Sequence, residues 1–120
     1  SSIQVLATDH PYEKWANFPL ERSKLIRILS EAAQNKTIII VSGDRHRSGI
    51  YQNNFFVEIT ASSLNKPGSR FKESDPLLIG ETFSEINYGI LDIQPSQNKI
   101  TVSIHDKKGR KLNYKTINIF

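Results

Sequence analysis

The sequence predicts a mixed α+β fold of about one helix and five to six strands. Three observations carry this expectation: one apolar stripe with helical spacing, a β-branched run just after it, and three strand-like segments joined by short turns in the last third. The stripe is Leu25, Ile28, Leu29, Ala32 and Ala33, with Ile26 beside it, while Glu21, Arg22, Lys24, Arg27 and Glu31 fill the opposite side. Pro19 suits a first turn, where its missing N–H costs nothing, so the helix is predicted over residues 19–34. Asn35-Lys36 ends it. Thr37 to Val41 is then apolar on both faces, which predicts a strand held between two layers.

The other elements follow in chain order. Ser1 to Leu6 reads as a short strand, with Ile3 and Val5 alternating about Gln4. A start directly in an apolar strand is expected of a cut inside a larger protein. Ala7 to Pro19 reads as a loop carrying His10, Glu13 and the single tryptophan, Trp15, a packing anchor for the helix. Phe55 to Thr60 reads as another strand. Residues 66–86, with Pro67, Gly68, Pro76 and Gly80, read as a long irregular excursion. Tyr88 to Ile93, Ile100 to His105 and Leu112 to Phe120 are strands, with turns near Asn98-Lys99 and at Lys107-Lys108-Gly109. The expected organisation is one segment over 1–120: a core over 1–105 and a basic C-terminal hairpin strand over 106–120.

Composition narrows the function. With 120 residues there is room for one ordinary domain. No apolar run approaches the ~20 residues of a membrane-spanning helix, so no transmembrane segment is expected. The absence of cysteine excludes disulfides, thiolate zinc sites and cysteine nucleophiles. The net charge of +4 is uneven: Lys107, Lys108, Arg110, Lys111 and Lys115 lie in a stretch without a single acid, and the rest is close to neutral. A charged, solvated hairpin edge explains that cluster. Apart from Tyr114 it lacks interleaved aromatics, so a nucleic-acid partner is not expected.

The chemistry concentrates where the β-branched run ends, in Ser42-Gly43-Asp44-Arg45-His46. Gly43 permits a tight turn, and Asp44 and His46 can then face one crevice at a strand end. A carboxylate oxygen and an imidazole nitrogen two residues apart are half of a first-row metal site. The same spacing also describes an aspartate capping a turn beside an exposed histidine. Arg45 and Arg47 flank the pair and suit bidentate pairing with a phosphate. Alternation along the chain points them away from Asp44 and His46, which favours a solvated or salt-bridged role for at least one. Ser62, Ser63 and Asn65 are further candidates for lining the crevice, and equally good turn residues. His105 reads as an exposed strand-end residue.

The run SGDRHRSGIY, followed by EITASSLN and NYGILDI, resembles the PhoD-like alkaline phosphatases, a branch of the calcineurin-like metallophosphatase superfamily. The upstream SSIQVL and EKWANFPLER are similar to the same family, so the likeness runs from Ser1 to about Lys111. It implies the C-terminal half of a four-layer α/β/β/α sandwich and a metal-dependent phosphomonoesterase or phosphodiesterase. The implied cofactor is two or more divalent or trivalent ions: iron, manganese, calcium or zinc. Asp44 and His46 would be metal ligands, with Asp44 favouring harder cations over zinc. His10 is a further candidate ligand, and Arg45, Arg47 and Asn65 are candidate substrate-binding residues.

The superfamily's earlier motifs, which supply most ligands and the bridging aspartate, are missing from this chain. Alone it is therefore expected to be inactive, its partners being a small phosphate ester, an N-terminal half of the same protein and a second copy of itself. Family members are often exported, which implies an extracytoplasmic site, periplasmic or secreted. The alternatives are a non-catalytic β-rich interaction module and a weak nucleic-acid binder using the basic hairpin.

Overall fold

The computed structural model describes residues 1–119. Its single α-helix, α1 (Pro19–Ala32), begins with the proline in the first turn and lies after a short 3-10 turn, Trp15–Asn17. Seven strands follow: β1 (Ile39–Ser42), β2 (Ser48–Gln52), β3 (Val57–Ala61), β4 (Leu78–Phe83), β5 (Asn87–Gln94), β6 (Lys99–Asp106) and β7 (Lys111–Asn118). They form two sheets, β1-β3-β2-β4 and β5-β6-β7. The β1–β3 pair is parallel and all other pairs are antiparallel. The fold is mixed α+β, as expected.

Alternation gives the first sheet two apolar faces and hence two cores. On one side Ile40, Tyr51 and Phe56 meet Val5, Leu6 and Ala7, with Trp15, Leu25, Ile26 and Leu29 packed against them. On the other, Ile50, Val57 and Ile59 meet Val102 and Ile104 of the second sheet, with Ile39, Ile79, Phe83, Leu112 and Ile117 around them. The layers are therefore helix, sheet and sheet. No second helical layer occurs among the described residues.

Several expectations need correction. Ser1 to Leu6 is not a strand. Its backbone groups are taken by side chains: Glu58 accepts the N–H groups of Val5 and Leu6, and Arg22 donates to their carbonyls. The expected excursion over 66–86 contains β4, whose Gly80 takes a left-handed φ of 73°. A strand not expected from the sequence, β2, starts at Ser48, directly after the loop that carries Asp44 and His46. Val41 is 55% exposed, so β1 is not covered on both faces. Ile28, placed on the helix's buried stripe, is also half-exposed. The strand expected over Leu112 to Phe120 is β7, and Phe120 lies outside the described residues.

Candidate functional site

The loop from Gly43 to Arg47 leaves the edge strand β1 and enters β2. Asp44 and His46 both adopt left-handed backbone angles, φ 64° and 51°. Such angles are uncommon outside glycine, though Asp and His are among the residues that tolerate them, and two in three residues mark a specialised turn. Ser62 pins it: the Arg45 N–H donates to Ser62 Oγ at 2.9 Å, and that hydroxyl donates to the Arg47 carbonyl at 3.1 Å. Gly68 closes the other side, its N–H donating to the His46 carbonyl at 2.7 Å. A Cβ on Gly68 would sit 2.6 Å from that oxygen, so only glycine fits.

The expected alternation is present. Asp44 and His46 are exposed and Arg45 and Arg47 are buried. Neither Asp44 nor His46 has a side-chain hydrogen bond or ion pair among the described residues, whereas both arginines pair with Glu73. All four side chains border a crevice of about 410 Å³, together with Tyr12, Glu13, Gly68 and Ser69. Free carboxylate oxygens and an unpaired imidazole on an open lip fit what a cation requires. They are two ligands only: no group of three or more His, Asp or Glu side chains able to hold a metal occurs among the described residues.

His10 lies elsewhere. It is buried and borders a neighbouring cavity of about 300 Å³, formed by the 9–12 turn and the segment around Glu73. Its Nε2–H donates to Gln4 Oε1 at 2.8 Å, and its Nδ1 accepts the Tyr12 N–H at 3.1 Å, so both ring nitrogens are engaged. Desolvation, reinforced by the Arg45 guanidinium, pushes its pKa down to about 4, which keeps the ring neutral. Asn65 is exposed beyond β3 and is not among the residues bordering either cavity. Ser63 is fully buried and donates to the Glu85 carbonyl at 3.0 Å, a structural task. His105 is half-buried on β6, stacked on Tyr88 and bonded to Ser103.

Three residues that sequence reasoning passed over complete the site's underside. Gln4 donates to Thr60 Oγ1 at 2.9 Å and accepts from Arg45 Nη1 at 2.7 Å as well as from His10. Glu58 is fully buried; Ser42 Oγ donates to it at 2.6 Å, and burial pushes its carboxyl above the ordinary range despite these donors. Glu73 joins Arg45 and Arg47. A glutamate in the middle of the apolar run Val57–Ala61 is the one visible clue, because a charge there needs buried donors. Gln4 and Glu73 carry no comparable signal.

No family model matches the chain, and no curated protein matches it by sequence. Its fold is similar to that of GAP50, the anchor in the inner membrane complex of Plasmodium, with a TM-score of 0.66 and 16% sequence identity. The likeness covers 99% of this chain and 34% of that one, so this chain spans about a third of that protein's length. At such identity the likeness shows the fold alone. No helix among the described residues is long and apolar enough to cross a membrane.

Proposed function

We propose that this chain is the C-terminal part of a metal-dependent phosphoesterase, in which Asp44 and His46 contribute two ligands of a metal centre. The observation that carries the reading is the Asp44–His46 turn. An oxygen donor and a nitrogen donor leave a strand end on left-handed backbone, unpaired at a crevice lip, while Arg45 between them and Arg47 after them turn inward. The cations, when bound, supply water activation and neutralisation of phosphoryl oxygens. This chain's share is to orient the Asp44 carboxylate and the His46 ring on a turn held rigid by Ser62 and Gly68. The remaining ligands would come from an N-terminal part of the same protein, and the substrate would be a small phosphate ester.

A second reading, a non-catalytic interaction module, is favoured by the fold likeness to a protein described as an anchor. Metal analysis of the full-length protein separates the two. The phosphoesterase reading expects bound iron, manganese, calcium or zinc that is lost on Asp44→Asn with His46→Gln; the anchoring reading expects neither.

A further inference from the structure

Arg45 and Arg47 stand two residues apart on one loop, both buried, with their guanidinium groups converging on a single carboxylate. Arg45 engages Glu73 through two nitrogens, Nη1 and Nη2, one to each carboxylate oxygen. Arg47 approaches from the side. Its Nη1 and Nη2 bond the Phe71 carbonyl and Ser69, while its Nε lies 3.1 Å from Glu73 Oε1 without hydrogen-bond geometry. That buried N–H is unspent among the described residues. Two cations therefore share one negative charge, and His10 beside them is held neutral. The other charges nearby are Lys14, which bonds Asn17, and Asp75, whose carboxylate accepts the N–H groups of Thr8 and Asp9. Glu13 and Asp44 stand exposed at the lip.

Glu73 belongs to the longest stretch without regular structure after the helix, between Ala61 and Leu78. The stretch leaves Leu64 and Phe71 exposed, Phe71 at 73%. Arg47, Tyr12 and Ser69 border both the crevice that carries Asp44 and His46 and the neighbouring cavity that Glu73 helps to close. We propose that Arg45 and Arg47 form an oxyanion clamp for a phosphoryl group, and that Glu73 is its built-in competitor, latching the 66–77 segment across the clamp until the anion displaces it. A phosphate dianion matches two guanidinium charges where one carboxylate leaves an excess, and it offers a third oxygen for the unspent Arg47 N–H. The identity of the anion rests on the phosphoesterase reading; the clamp rests on the arginines.

The test uses this chain and inorganic phosphate, with no metal and no turnover, so it fails or passes independently of the metal centre. Glu73→Gln should be less stable than the parent, because it leaves two buried guanidinium groups without a counter-charge. Phosphate should then restore its thermal midpoint, with binding by calorimetry at least tenfold tighter than to the parent chain. Arg47→Gln added to Glu73→Gln should remove that gain. Should Glu73→Gln not fold, hydrogen exchange on the parent chain decides instead: phosphate should raise exchange over residues 66–77 and leave β2 and β3 unchanged. Equal phosphate binding by parent and variant, or exchange over 66–77 that phosphate does not alter, would overturn the proposal.

Discussion

A fully buried carboxylate ties the N-terminal segment to the first sheet. Glu58 accepts the N–H groups of Val5 and Leu6 at 2.6–3.2 Å and the Ser42 hydroxyl at 2.6 Å. These bonds offset part of the cost of removing the charge from water, and burial still wins, raising its pKa. Glu58 thus favours the fold at low pH and opposes it as pH rises through its folded pKa. His10 has the opposite sign. Its folded pKa of about 4 lies below the unfolded 6.5, so between those values the unfolded chain takes up a proton that the folded chain refuses. The stability His10 contributes is complete above pH 6.5 and is lost progressively down to about pH 4. Urea midpoints measured across that window should fall less steeply in His10→Gln than in the parent. Parallel profiles would mean that His10 is not held neutral.

At the scale of elements, the N-terminal segment shows how side chains can replace a neighbouring strand. Its alternation reads as β, and periodicity does not reveal whether a partner edge exists. Here the partners are Glu58 on one side and Arg22 of α1 on the other, Arg22 Nε donating to the Val5 carbonyl at 2.8 Å and Nη2 to that of Leu6 at 3.0 Å. Arg22→Ala should cost about 1.5–3 kcal/mol, the range for hydrogen bonds from a charged donor. A loss under 0.5 kcal/mol in denaturant unfolding would show that solvent replaces the clamp. The helix itself was legible because Leu25, Ile26 and Leu29 meet the core with helical spacing. The three C-terminal strands were legible because short turns separate them, Asn98 and Gly109 supplying left-handed backbone. β2 was not, since every residue from Ser48 to Tyr51 is buried and no alternation survives. β4 was hidden by the Pro and Gly residues around it. At the site, the free pair Asp44 and His46 was readable from local spacing. Their counterparts Gln4 and Glu73 were not, because their contacts with Thr60 and Arg45 join residues 28 to 56 positions apart, and Glu58 was marked only by its charge within an apolar run.

The whole molecule is a sandwich with an open flank. Leu91 pairs with Val102 and so faces the inter-sheet core, yet it is half-exposed, as is Ile93 two residues on. Val41, on the same face of edge strand β1 as Ile39, is uncovered too. Leaving such area wet is unfavourable by ~25 cal/mol per Å², and β1 and β5 are edge strands of their sheets, where a further strand can add. The isolated chain should therefore associate, giving a dimer or larger species by light scattering at micromolar concentration, and Val41→Lys with Ile93→Lys should return it to a monomer. A monomeric parent chain would show that the flank is tolerated without a partner. In the proposed enzyme, the N-terminal part would cover this flank and bring the missing ligands to the Asp44–His46 lip. The most direct measurement of that claim is metal content together with hydrolysis of a chromogenic phosphate ester by the full-length protein and its Asp44→Asn, His46→Gln double variant. The account predicts bound metal and turnover in the parent, and loss of both in a variant whose circular dichroism is unchanged. A variant that keeps its metal and its activity would contradict it.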